Sequence, residues 1–143
     1  MASITSANSV FMLAIIGLFP VPQRLQGFAA DDVFDTEGIE ASEAIMGVDG
    51  RLSAGFVFMP IKQTIALQAD SPSTFMFENW YAKQQAIKDV YRATAQIVLP
   101  SVGMVYTCSN GVLTHYAPIS DAKKVLQPRK FGITWESIVG VPV

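Results

Sequence analysis

Residues 52–80 read LSAGFVFMPIKQTIALQADSPSTFMFENW. Leu52, Ala54, Phe56 and Phe58 alternate with Arg51, Ser53, Gly55 and Val57, a period of two that gives a strand one apolar and one small or polar face. Pro60 marks a bend or bulge, because it cannot donate to a sheet ladder. Beyond it Ile61, Ile65 and Leu67 fall on one side of a second strand, with Lys62, Thr64 and Gln68 on the other. At Ser71-Pro72 the period changes. Ser71 is an N-cap residue and Pro72 stands at the first helical position, where a missing N–H costs nothing. Phe77, Trp80, Tyr81, Gln84, Ile87 and Tyr91 then recur at spacings of three and four, which predicts one amphipathic helix over about 71–92 that packs its aromatic stripe on a sheet.

The flanks extend the β pattern. Gly47-Val48-Asp49-Gly50 is a turn signal, with Asp49-Gly50 able to supply positive φ, so the strand at 52–58 is the second arm of a long hairpin. Residues 9–18 (SVFMLAIIGL) read as a strand buried on both faces, closed by Gly17 and by Pro20 and Pro22. The same run has the length of a signal-peptide apolar segment, but its first basic residue, Arg24, follows it, and it is too short to span a bilayer. Towards the C-terminus, strands are expected at 96–99, 103–107 and 111–116, the last two joined by a hairpin at Ser109-Asn110-Gly111. Residues 118–128 form a polar connection, and 130–139 (KFGITWESIV) a closing strand. No repeat or linker divides the chain, so residues 1–143 are expected to form one domain, mainly β, as a small β-barrel or sandwich with one flanking helix.

Half of the residues are apolar and only 15% are charged, against about 25% in ordinary soluble domains. A monomer of 143 residues hides that much apolar surface with difficulty, whereas subunit contacts hide it readily, so self-assembly is expected. A net charge of −2 with no basic stripe argues against a nucleic-acid reader. The single cysteine, Cys108, excludes an intramolecular disulfide. Charge is unevenly spread. The stretch 25–49 carries Asp31, Asp32, Asp35, Glu37, Glu40, Glu43 and Asp49 and no basic residue, either a solvated face or a surface whose negative field has a task.

Little in the chain suggests chemistry. A hairpin at 109–111 would bring Cys108 near the only histidine, His115, but no orienting group accompanies the pair. The Asp31–Glu37 acids lack the Gly and Glu that an EF-hand loop requires, and the ten glycines form no phosphate-binding run. No catalytic residue, metal ligand or cofactor site is assigned, and no enzymatic activity is expected.

The passage quoted at the outset, with its Gln-Ala-Asp-Ser-Pro-Ser helix start, resembles the tail tube proteins of contractile-tailed bacteriophages, and KFGITWESI resembles their last strand. The resemblance covers residues 8–138 in order. It implies a hairpin that joins neighbouring subunits into a ring of six, and stacking of rings into a hollow tube that conducts genome DNA without sequence-specific binding. It also implies sheath, baseplate and terminator proteins as partners, and residence in the virion after assembly in the host cytoplasm. Inner tubes of contractile bacteriocins and type VI secretion share this design, so those origins stay open. On this reading the seven acids of 31–49 are candidates for lumen or ring edge, Lys123, Lys124, Arg129 and Lys130 for ring stacking, and Lys83, Lys88 and Arg92 for contact with the sheath. A different class of protein, a small-ligand-binding β-barrel with aromatic side chains around a cavity, would be a monomer.

Overall fold

A computed structural model describes residues 9–28 and 33–142. Ten strands and one helix follow in the order β1 (Val10–Ile15), β2 (Phe19–Arg24), β3 (Phe34–Thr36), β4 (Ser42–Met46), β5 (Leu52–Phe56), β6 (Ile61–Leu67), α1 (Thr74–Ile87), β7 (Ala93–Leu99), β8 (Met104–Tyr116), β9 (Arg129–Trp135) and β10 (Ser137–Pro142). Eight strands form one antiparallel system, β2-β1-β7-β8-β9-β6-β3, with β10 continuing β9 along β8. It is mainly β, as expected, but the strand order does not close on itself: β2, β3 and the outer side of β10 are free edges, so the body is an open sandwich and not a closed barrel. β4 and β5 pair only with each other.

Alternation builds the core. In β7, Ala93, Ala95 and Ile97 point inward while Thr94 and Gln96 face water. From β6 and β9, Ile65, Leu67, Phe131, Ile133 and Trp135 meet Phe11, Leu13 and Ile15 of β1. The helix closes the core with Met76, Phe77 and Trp80. Phe77 stacks on Phe131 with ring centroids 4.4 Å apart, and Tyr81 stacks on Tyr116 at 4.3 Å. The expected aromatic stripe is therefore a packing face, although Ile87, which was expected to share it, is exposed.

The helix is shorter than 71–92 at both ends, for identifiable reasons. Ser71 and Ser73 serve another segment: the Gln26 N–H donates to Ser73 Oγ at 2.8 Å, and Ser71 Oγ donates to the Gln26 carbonyl. The helix then begins at Thr74, with Ser73 as a cap that makes no side-chain cap bond. It stops at Ile87 because Lys88 adopts a left-handed conformation, φ 55°, and returns its N–H to the Gln84 carbonyl.

Three further expectations are corrected, and one strand is added. Ser109-Asn110-Gly111 is not a hairpin turn; β8 runs unbroken through it. The pairing of Ala95 with Cys108 and of Ala93 with Gly111 leaves one extra residue on β8, a β-bulge in which Asn110 takes φ 52°. Gly111 lies beneath Trp135, whose ring a Cβ would overlap. The closing strand is broken at Glu136 into β9 and β10, opposite that bulge, where Asn110 Nδ2 donates to Glu136 Oε2 at 3.0 Å. Finally, Pro20 and Pro22 lie within a strand, β2, which tolerates them as a sheet edge, and Phe34–Thr36 contributes a short edge strand at the other end.

Candidate assembly surfaces

Two features project from the body, at opposite ends of the β8-β9-β6-β3 sheet. Thr36 pairs with Gln63 and Ile61 with Trp135, so the chain leaves β3 and re-enters β6 at one end. Everything between, residues 37–60, forms an arm that carries the β4–β5 hairpin. At the other end of β6, Leu67 faces Arg129, and there the 117–128 connection joins β8 to β9. The seven residues of β6 separate the two features by roughly 20 Å, at about 3.3 Å per residue.

The arm is exposed throughout, apart from the half-buried Val57. Its register pairs Ser42 with Phe56, Ala44 with Ala54 and Met46 with Leu52, which puts these six side chains on one face. Glu43, Gly55, Ile45 and Ser53 share the opposite face. Phe56 and Phe58 pack edge to face with centroids 4.7 Å apart, yet remain 74% and 89% exposed. The tip is closed by Gly47 N–H to the Arg51 carbonyl at 2.8 Å and by Arg51 N–H to Asp49 Oδ1 at 3.1 Å, with Gly50 at φ 81°, as its Asp-Gly pair predicts. A two-stranded hairpin is at best marginally stable alone in water. Leaving its apolar face bare is costly unless something covers it.

The 117–128 loop is held by one buried cation. Arg129 donates from Nε and Nη2 to the Ala117 carbonyl at 3.1 and 2.8 Å, and from Nη1 to Glu78 Oε1 of the helix at 2.7 Å. Its guanidinium carbon lies 5.1 Å from the Phe131 ring centroid and 5.7 Å from that of Tyr116. Within the loop, Gln127 N–H reaches the Asp121 carbonyl at 2.9 Å. On its outer surface, Ile119, Val125 and Leu126 are exposed beside Lys123 and Lys124.

The family described as Tail fiber protein gp32 matches residues 2–139 of the sequence. The chain belongs to this family. It is thereby a tail-associated structural protein. Among curated proteins, none matches the sequence. The fold is also that of solved components of contractile injection systems. The tube-terminating cap of the anti-feeding prophage superposes with a TM-score of 0.66 at 8% identity, over 100% of this chain and 93% of that one. The sheath/tube terminator of an extracellular contractile injection system, PVC, gives 0.64 at 13% identity over 99% and 98%. The sheath-tube complex of that system gives 0.58 at 15% over 93% and 88%. At these identities the likeness is one of fold.

In this gp32-family chain the sequence-predicted residues fall into three places. Glu37, Glu40, Glu43 and Asp49 are exposed on the arm and Asp35 at its base, on β3; Asp31 and Asp32 lie outside the described residues. Lys123, Lys124 and Lys130 are exposed at the loop end, whereas Arg129 is turned inward and engaged by Ala117 and Glu78. Lys83, Lys88 and Arg92 are exposed at and beyond the C-terminal end of α1.

The Cys108–His115 pairing that a hairpin would allow is not formed. Both residues sit on β8, seven positions apart, with Cys108 buried and His115 exposed. Burial pushes the Cys108 thiol up to about 12, away from the thiolate that a nucleophile requires. Among the described residues, no three His, Cys, Asp or Glu side chains converge on a point where a metal could bind, and no helix is long and apolar enough to cross a membrane.

What sequence reading missed is mainly the role of Arg129 and the polar centre at Gln63. Gln63 is buried, accepts Trp135 Nε1–H at 2.9 Å and donates to Thr36 Oγ1 at 3.1 Å, so it ties the base of the arm to the core. The only advance signal was an amide in register with Ile61 and Ile65.

Proposed function

We propose that the chain is a ring-forming, non-catalytic subunit of the inner tube of a contractile tail, phage or bacteriocin-like, and that the arm is the element joining neighbouring subunits. One observation carries this: a 24-residue excursion (37–60) folds into a hairpin with a largely apolar face that none of the described residues covers. The Ala44/Met46/Leu52/Ala54/Phe56 face packs on the adjacent copy, and the opposite face, with Glu43, Ile45, Ser53 and Gly55, turns to the ring edge and the bore. A bore that passes DNA must not hold it, and the carboxylates of the arm repel phosphate. Rings of this kind, six-membered by family resemblance, would stack within a sheath that meets Lys83, Lys88 and Arg92, between a baseplate and a terminator, in a particle assembled in the host cytoplasm.

A second reading has its own support: the two terminator structures superpose better than the sheath-tube complex does. In that case the chain forms the last ring of the tube and not its repeating ring.

Negative-stain microscopy with light scattering over a concentration series separates the readings. Tubes of stacked rings support the inner-tube subunit, discrete single rings support the terminator, and a monomer at all concentrations overturns both. Phe56→Ser with Phe58→Ser should leave the circular dichroism of the body unchanged, since both rings are solvent-exposed. The loss of about 4 kcal/mol of apolar burial per subunit contact corresponds to roughly a thousandfold weaker ring association.

A further inference from the structure

We infer that the 117–128 loop of one copy is the seat for the arm of a second copy in the next ring, so that the chain stacks head to tail. This rests on the ring-forming reading above and adds the partner surface to it.

The two surfaces are complementary in both respects that matter. On the arm, Glu37, Glu40, Glu43 and Asp49 stand against the single cation Arg51. At the loop end, Lys123, Lys124 and Lys130 stand against Asp121. Among the described residues the only ion pair is Arg129–Glu78, so neither the exposed lysines nor the arm's carboxylates form a described ion pair in their own chain. Each surface also carries bare apolar side chains: Ile119 (78% exposed), Val125 (73%) and Leu126 (57%) on the loop, and Ile45 and Val48 near the arm's tip.

Geometry then selects a second copy. The arm hangs from the Ile61–Trp135 end of the sheet and the loop from the Leu67–Arg129 end, roughly 20 Å apart, and among the described residues no ion pair joins the two within one chain. Contact between unlike surfaces on identical copies is heterologous, closing into a ring when the rotation closes and propagating along an axis when it does not; with ring closure given to the arm's apolar face, this second contact is the one that runs along the axis. The loop suits the part because it is already built. Arg129 and the Gln127–Asp121 bond fix its backbone, so docking need not order it.

The test is a charge-swap cycle read by pelleting and microscopy at low salt. Lys123→Glu with Lys124→Glu should raise the concentration needed for tubes about tenfold or more, leaving single rings intact. Glu40→Lys with Glu43→Lys should do the same. All four changes in one chain should restore stacking to within about threefold of the unmodified protein. At 1 M salt, where screening acts within about 3 Å, all four proteins should converge. Full stacking of either charge-reversed pair, or a fourfold variant no better than its parents, overturns the inference while the ring reading stands. Rings of the unmodified chain that never stack overturn it too, and a permanent monomer overturns both.

Discussion

Arg129→Met removes the cation on which the loop depends while keeping an unbranched side chain of similar length. Two of the four donated bonds end on one acceptor, the Ala117 carbonyl, and a third is a long contact with Tyr116 Oη at 3.4 Å, so the Ala117 pair counts as a single charge-assisted interaction of about 1.5–3 kcal/mol. The pair with Glu78 adds little, about 0.5 kcal/mol, because that carboxylate is half exposed and screened by water. The loss of cation–π attraction to Tyr116 and Phe131 is offset in part by the thioether's own contact with aromatic rings. The sum is about 2–3 kcal/mol. At a urea dependence of about 2 kcal/mol per molar, the unfolding midpoint followed by tryptophan fluorescence falls by roughly 1 M. The second readout is local: trypsin should cut after Lys123 or Lys124 well before global unfolding, because the loop has lost its tether to β8 and the helix. Arg129→Lys should recover only part of the loss, since an ammonium cannot reproduce the fork on Ala117 and Glu78. An Arg129→Met protein with an unchanged midpoint and unchanged tryptic resistance would show that the loop holds itself, and the account of Arg129 would be wrong.

Two strand glycines should behave oppositely when changed to alanine. Gly111→Ala drives a Cβ into the Trp135 ring, which is fully buried and pinned by Gln63, and should cost about 1–3 kcal/mol in urea unfolding; Gly55→Ala meets open space on the arm and should leave stability within about 0.5 kcal/mol. The Cys108 thiol should resist iodoacetamide at pH 8 in the folded protein and react in urea, as mass spectrometry would show. Its raised pKa also sets a sign: the folded state holds a proton that the unfolded chain gives up first, so this contribution to stability is complete below pH 9 and is lost as pH rises towards 12. Cys108→Ala should flatten that part of the alkaline profile.

The core was legible because it obeys alternation: Ala93, Ala95 and Ile97, or Ile65 and Leu67, announce their inward faces. The helix was legible as an element but not at its ends. Its start is decided by Gln26, 47 residues before Ser73 in sequence, and its stop by a lysine in a conformation usually left to glycine. Asn110-Gly111 was read as a turn because positive φ at Asn serves a hairpin and a bulge equally well; Trp135, packed over Gly111, is what makes it a bulge. Arg129 beside Lys130 looked like half of a surface basic pair. Strand alternation turns one outward and the other into the helix–sheet seam, and no property of the dipeptide reveals which.

The arm's exposed faces were foreseeable only as alternation, yet the unpaired edges explain why assembly should run through the arm. An open sandwich risks indiscriminate strand addition at each free edge. At β2, Pro20 and Pro22 remove two donors, and β3 offers only three residues. β10 ends at Pro142. The β4 and β5 strands have five residues each and no proline, so, with the outer side of β10, the arm presents the edges best able to pair at length. In the assembly proposed above, the arm's apolar face and its carboxylates would decide where a neighbour sits, and the lysine-bearing loop at the far end would give the stack its direction.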